Sequence, residues 1–301
     1  MSLALLVTGA GGQLGSDLLE AVRTSRDVFA RGLLRKDLEL TDPAAVQDML
    51  LGWERIVRAD NPEHRLVVIN AAAYTAVDAA ETDEDMAYAV NATAPALLAA
   101  SCARIGARLV HVSTDYVFPG DAARPYEVGD PTGPKSAYGR TKLAGELAVR
   151  EILPDASHVV RTAWVYGATG QNFVKTMVRL EKERETVSVV DDQRGSPTWS
   201  RDLANGLLAL AGSDAPAGTY HATNAGDTTW HGFTRAVFEE LGADPGRVLA
   251  TTTDAFPRPA PRPAYSVLSP SAWEQAGLPP LQGWREALAE AFSTSGTALR
   301  G

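Results

Sequence analysis

The chain of 301 residues contains one cysteine, Cys102. A lone thiol forms no intrachain disulfide, which fits a reducing compartment. Cys102 falls in the Ala/Leu-rich stretch 94–104, where a packed core thiol is expected rather than a nucleophile. An excess of positive charge is also missing. The formal net charge is -9, which argues against general affinity for nucleic acid, whose binding needs a basic surface. It does not exclude a small anionic ligand, because clustered backbone N–H groups hold phosphate even in an acidic protein. No apolar run reaches the roughly 18 residues needed to cross a bilayer. Met1 and Ser2 lead directly into an apolar run without a basic leader. The expectation is a cytoplasmic protein with no membrane partner. The five histidines, His64, His111, His158, His221 and His231, are scattered without ligand spacing, so no metal is expected. A Gly-x-Ser-x-Gly elbow and a Gly-Lys-Ser/Thr phosphate loop are absent, against hydrolase and ATPase chemistry. Repeats of fixed period and low-complexity tracts are missing too. Only the small, polar residues 293–301 read as disordered.

What is present is ordinary for a globular chain, with 45% hydrophobic and 22% charged residues. Short apolar runs at 3–8, 27–34, 66–70, 107–113 and 158–162 read as strands. Between them, 14–22, 43–57, 85–105 and 135–150 read as helices, the second capped by Asp42 or Thr41. This alternation predicts an α/β fold, a doubly wound and mostly parallel sheet covered on both faces. Such sheets bind ligands beyond the carboxyl ends of their strands. From about Gly167 the pattern becomes irregular. Helices at 199–210, 230–241 and 283–292 stand among loop-forming stretches at 195–198, 216–218 and 256–263. A smaller C-terminal α/β lobe is expected there.

The residues just after each strand carry the chemistry. Gly9-Ala-Gly-Gly12-Gln-Leu-Gly15 follows the first strand and opens the first helix. Gly9 would make the tight turn, Gly12 would let a pyrophosphate approach the backbone, and Gly15 would let helix and strand pack closely. Alone, such a stretch is only a tight turn; in this position it reads as a dinucleotide cradle. Arg35 and Lys36 follow the second strand, where an acidic residue would favour NAD and a basic pair would hold a 2′-phosphate. They also read as an ordinary solvated pair. Glu39 and Leu40 come next and would flank an adenine. Asn70-Ala71-Ala72-Ala73-Tyr74-Thr75 ends the third strand with small residues that let a ligand lie close to the backbone. Ser113-Thr114-Asp115-Tyr116 ends the fourth. Tyr138 and Lys142 stand four apart on the following helix, hence on one face. An ammonium beside a phenol favours the phenolate and would make Tyr138 a usable acid and base. By itself a Tyr-x-x-x-Lys pair is usually a surface pair; its conjunction with the glycine motif and Ser-Thr-Asp is far more specific.

Together these residues resemble the extended short-chain dehydrogenase/reductases, and within them the dTDP-4-dehydrorhamnose reductase family. The carrying runs include LLVTGAGGQLGSDL, INAAAYTAVDAAE, HVSTDYVFPG, YGRTKLAGE and VVDDQRGSPT, spread over nearly the whole chain. The resemblance implies a Rossmann-type domain over residues 1–166 that binds NAD(P), and a substrate-binding lobe over 167–301 with segments that interleave. It implies a nucleotide-sugar substrate, and with Arg35 and Lys36 where an NAD-specific protein often has a carboxylate, NADPH is the expected cofactor, NADH also accepted. Thr114, Tyr138 and Lys142 would be catalytic. Gly12, Gln13 and Leu14 would meet the pyrophosphate, Glu39 and Leu40 the adenosine end, and Ala73, Tyr74 and Thr75 the inner half of the cofactor. Asp115 and Trp164 would contact the sugar. Some relatives dimerise around magnesium, but Arg201 stands where one acidic ligand is expected, so a homodimer stays open and a metal is not expected. The stretch 52–64 looks longer than in relatives and carries no assigned role. A substrate diphosphate needs local positive charge, and Arg258 and Arg262 in the proline-rich stretch are candidates beside a plain solvated-loop reading. Two other classes compete: a sugar-nucleotide epimerase or dehydratase with the same triad, and a non-catalytic partner like the regulatory subunit of methionine adenosyltransferase.

Overall fold

The computed structural model describes residues 2–23, 25 and 27–300. The first half alternates as expected: β1 Leu3–Thr8, α1 Gln13–Val22, β2 Val28–Leu33, α2 Pro43–Asp60 and β3 Arg65–Asn70. Two short helices follow, α3 Val77–Ala80 and α4 Glu84–Tyr88, then a π-helical turn at Ala89–Thr93 that runs into α5 Ala94–Ile105. β4 Arg108–Thr114, α6 Ala137–Ile152 and β5 Ser157–Thr162 complete the half. The remainder comprises β6 Val165–Tyr166, α7 Phe173–Glu183, β7 Val187–Val190, β8 Arg194–Gly195, β9 Thr198–Trp199, α8 Ser200–Gly212, β10 Gly218–His221 and β11 Thr228–Thr229. It ends with α9 Trp230–Glu240, β12 Val248–Thr251, α10 Ser271–Gln275 and α11 Trp284–Arg300.

Six strands form one sheet in the order β10-β5-β4-β3-β1-β2, with every pairing parallel. This is the doubly wound sheet that the alternation predicts. Its inner strands are buried on both faces, which is why short apolar runs mark them in the sequence. In β1 the side chains alternate between two cores. Leu3, Leu5 and Val7 pack with α1 and α8, while Ala4 and Leu6 pack with α2 and α5. A third core unites α7, α9 and α11 into the C-terminal lobe. The chain beyond residue 167 does not all stay in that lobe. β10 extends the main sheet beside β5, and α8 covers α1.

Asp42 caps α2, accepting from the backbone N–H groups of Ala44 and Ala45. The stretch 52–64 lies largely in the end of α2, where Trp53 and Val57 are buried. Cys102 is fully buried on α5 and its thiol is pushed up by that burial, as expected of a core residue. The continuous helical stretch Glu84–Ile105 is long and apolar enough by composition to cross a membrane. Here Leu98 and Ala99 on it are buried against the sheet core instead. The tail corrects an expectation of disorder: α11 runs to Arg300, with a kink at Ser295, and Gly301 lies outside the described residues. Leu299 is buried in the lobe core, so one apolar contact anchors an otherwise small and polar segment.

Candidate active site

A cavity of about 910 Å³ opens at the carboxyl ends of the strands. Its floor is the turn between β1 and α1. Gly9 has φ +69°, and a Cβ there would stand 2.7 Å from the Ala72 backbone nitrogen. A Cβ on Gly15 would overlap the Gly9 carbonyl, so both positions need glycine. Gly9, Gly12, Gln13 and Leu14 line this end of the cavity. Arg35, Glu39 and Leu40 line its far rim after β2, whereas Lys36 is exposed outside it. Ala71, Ala72, Ala73, Tyr74 and Thr75 form the wall after β3.

That wall is held from behind by a residue that sequence reasoning passed over. Asn91, in the π-helical turn, accepts from the Tyr74 N–H at 2.8 Å and donates to the Tyr74 carbonyl at 3.1 Å. Its amide also donates to the Thr141 hydroxyl at 3.1 Å, tying the loop to α6. Single π turns inside α-helices often mark functional sites, but no composition signal announces them.

Thr114, Asp115, Tyr138 and Lys142 all line the same cavity. Ser136 caps α6, its hydroxyl accepting from the Gly139 N–H at 3.1 Å. This starts the helix one turn before Lys142 and places Tyr138 and Lys142 on the face toward β4. The Tyr138 ring stands edge-on to Tyr116, centroids 5.6 Å apart. Burial pushes its phenol up to about 12, the Thr114 hydroxyl opposing the shift. Lys142 is almost fully buried, and burial pushes its ammonium down to about 8, against the nearby Glu146. The expected electrostatic lowering of Tyr138 by Lys142 is therefore not present here. Lys142 instead donates to the Val112 carbonyl at 2.7 Å, with His111 Nε2 at 3.5 Å.

His111 is a further missed member. Asn70 Oδ1 accepts from the Ala72 N–H at 3.2 Å, so its amide nitrogen donates to His111 Nδ1 at 3.0 Å. Burial, with Lys142 adding, holds His111 well below the usual imidazole range, hence neutral. Its remaining proton then sits on Nε2, facing Lys142.

The substrate end is polar and unsatisfied. Thr114 donates to Asp115 Oδ1 at 2.9 Å. Asp115 is 3% exposed, and burial pushes its carboxyl up to about 6, against the Thr114 hydroxyl. Asp115 Oδ2, Ser113 Oγ and Thr162 Oγ1 are buried without a hydrogen-bond partner among the described residues. All three belong to residues lining the cavity. Buried polar atoms are ordinarily paired, so these suit a polar ligand. Trp164 also lines the cavity, with φ +49°, a left-handed backbone rare for a bulky residue. It stacks on Trp230, centroids 3.5 Å apart and planes within 6°. Gly195 lies against this ring, where a Cβ would collide with it. In the sequence alone Trp230 marks only a helix start.

Arg258 and Arg262 do not line the cavity. Both turn to Asp78 of α3, Arg262 at 2.9 Å and Arg258 at 4.0 Å. Asp78 also accepts from the Ala260 N–H at 3.3 Å, so it holds the proline-rich segment against α3. Arg201 lies over the Trp199 ring, 5.6 Å from its centre. Among the described residues no three His, Cys, Asp or Glu converge as metal ligands.

The comparisons with known proteins agree with this geometry. A Mycobacterium tuberculosis relative, dTDP-4-dehydrorhamnose reductase, is 54% identical over 295 residues, covering 96% of this chain and 92% of its own. A Streptomyces niveus relative, dTDP-4-keto-6-deoxy-D-glucose reductase, is 46% identical over 288 residues, covering 95% and 96%. The crystal structure of Bacillus anthracis dTDP-4-dehydrorhamnose reductase in complex with NADP superposes with a TM-score of 0.90 at 36% identity. It covers 97% of this chain and 99% of that one. The RmlD substrate binding domain family matches residues 3–296. The similarity runs along almost the entire length, and the chain belongs to the RmlD substrate binding domain family.

Proposed function

We propose that the chain reduces the C4 keto group of dTDP-4-dehydro-L-rhamnose with NADPH, giving dTDP-L-rhamnose in the cytoplasm. The observation that carries this reading is that Thr114, Tyr138 and Lys142 share one cavity with the glycine cradle. The cradle fits a dinucleotide: Gly9 takes a conformation only glycine adopts freely, and Gly12 leaves the backbone open to a phosphate. In this reading residues 1–166 hold the cofactor and 167–301 hold the sugar nucleotide, with α8 and β10 returning to the first unit. Gly9, Gly12, Gln13 and Leu14 hold the pyrophosphate. Arg35, Glu39 and Leu40 hold the adenosine end, and residues 71–75 the inner half. Bound NADPH supplies the hydride.

The protein's own work is orientation and proton supply. Tyr138 stays neutral at physiological pH, since burial raises its phenol, and so remains a loaded proton donor for the oxygen at C4. Thr114 turns its O–H from Asp115 to that same oxygen. Asp115 then accepts from a sugar hydroxyl, and the Trp164 ring covers the sugar face. Lys142, still mostly charged at neutral pH, holds the nicotinamide ribose. Arg258 or Arg262 meets the substrate diphosphate, exchanging Asp78 for it.

The test is stoichiometry. NADPH should be consumed one for one with dTDP-4-dehydro-L-rhamnose, and more slowly with dTDP-4-keto-6-deoxyglucose. Product formation without net NADPH loss would make the chain an epimerase or dehydratase. Absence of turnover with any keto sugar would leave a binding protein. A second expected result concerns the cofactor's far end. Replacing Arg35 and Lys36 together by Ser should raise the KM for NADPH about tenfold, the scale of one charged hydrogen bond, and that for NADH much less. Steady-state kinetics with both cofactors check this, and equal effects would make the pair plain surface charges.

A further inference from the structure

Gln13 and Asn172 are 159 positions apart, yet their side-chain amides meet over the cavity floor. Asn172 is the N-cap of α7, in the C-terminal half. Its Oδ1 accepts from the Lys175 N–H at 3.1 Å. A backbone N–H can only donate, so this bond fixes which end of the Asn172 amide is oxygen. Its NH₂ end therefore donates, to the Gly167 carbonyl at 2.8 Å and to Gln13 Oε1 at 3.0 Å. The direction of one amide thus sets the direction of the next. With Oε1 of Gln13 engaged, the group Gln13 has left to offer is its NH₂, and Gln13 lines the cavity beside Gly12. An amide turned the other way would present oxygen to a pyrophosphate and repel it.

The segment that carries Asn172 is fastened at other points. Lys175 Nζ donates to the Ala168 carbonyl at 2.5 Å. Gly170 has φ +71° and lines the cavity beside the Gln13 side chain. Ser200, next to Gly167, hydrogen-bonds Asp17 on α1. The stretch 167–172 therefore spans from the C-terminal lobe to the glycine loop and its helix.

We propose that Asn172 is a positioning residue for the cofactor: through its cap-fixed amide it orients Gln13 as a hydrogen-bond donor to the pyrophosphate, so that the substrate lobe sets cofactor affinity. This rests on the NADPH reading above. The experiment measures NADPH binding by fluorescence, on the full chain without sugar nucleotide, so it does not depend on turnover. Asn172→Asp keeps the cap oxygen but puts a second oxygen against Gln13, which must then turn its NH₂ away from the cavity. Binding should weaken at least about tenfold, on the scale of one hydrogen bond to a charged group. Asn172→Ser keeps the cap and leaves Gln13 unoriented, so a smaller loss, about threefold, is expected. Gln13→Ala should weaken binding as well, and adding Asn172→Asp to it should cost nothing more. Wild-type affinity in both Asn172 variants, or effects of Asn172→Asp and Gln13→Ala that simply add, would overturn the proposal. Melting temperatures near wild type exclude misfolding; were the Asp variant unfolded, Asn172→Ser would decide. Failure of the wild-type chain itself to bind NADPH would instead remove the functional reading and this inference with it.

Discussion

Tyr138→Phe should lower turnover by roughly 10²–10⁴-fold, the range expected when a positioned general acid is removed. NADPH binding should change little. The substitution deletes one oxygen and keeps the ring, so the edge-on packing against Tyr116, with centroids 5.6 Å apart, is retained. The phenol is the donor best placed by its chemistry. Its pKa, about 12 through burial, keeps the proton in place across the neutral range. The other acid in the cavity, Asp115, is held up at about 6 and is mostly ionised at neutral pH, so it does not substitute well as a donor. The Thr114 hydroxyl orients but is too weak an acid to replace Tyr138. Saturating steady-state turnover, measured beside NADPH binding, checks the expectation. Near-normal turnover in the variant would remove Tyr138 from the role.

The features legible beforehand were those written in local chemistry. Glycine at 9 and 15 is demanded by backbone approach, and the spacing of Tyr138 and Lys142 is a helical period, so both could be read from position alone. The strands β1, β3, β4 and β5 were legible because burial on both faces leaves a short apolar stretch in each. β10 was not: its sequence, Gly-Thr-Tyr-His, resembles the turns around it, and only its pairing with β5 makes it a strand. α7 passed unnoticed although its buried face is regular, with Val174, Met177 and Val178 inward, because charged residues fill the rest of the turn. Its cap, Asn172, acts across the lobes, which local sequence does not tell.

Tertiary partners account for the rest. Nothing in the run Arg108–Thr114 tells that His111 faces Lys142, since strand alternation fixes a face but not what the face meets. Trp230 begins a helix in the sequence; that it stacks on Trp164 depends on the left-handed turn at Trp164 and on Gly195 leaving room for the ring. The expectation for Arg258 and Arg262 rests on charge need and on the stiffness of a proline-rich loop. Asp78, 180 and 184 positions upstream, already holds both, and a sequence offers no means to see that pairing.

Lys142→Met should abolish most activity and at the same time make the fold more stable at neutral pH. The ammonium is 1% exposed and burial depresses it to about 8, from 10.5 in the unfolded chain. Between those two values the unfolded chain binds more protons than the folded one. Stability of the wild type therefore rises with pH from about 8 to about 10.5, by about 3 kcal/mol at 1.36 kcal/mol per unit. Below pH 8 the fold carries that penalty in full. Methionine has a similar length and no charge, so the penalty disappears, less about 1–3 kcal/mol for the Val112 carbonyl that loses its donor. The net gain at pH 7 is small, on the order of 1 kcal/mol. The loss of the alkaline rise is the larger signal. Turnover should fall by roughly 10²–10³-fold, as when one fixed donor is removed from a water-excluded site. Urea denaturation of both proteins at several pH values from 7 to about 10.5 separates these effects. Tyrosines that titrate in this range do so in both chains, so the difference between the two curves isolates Lys142. Curves that stay parallel across the window would mean that the lysine is not a buried charge held against its preference, and would overturn this account of Lys142.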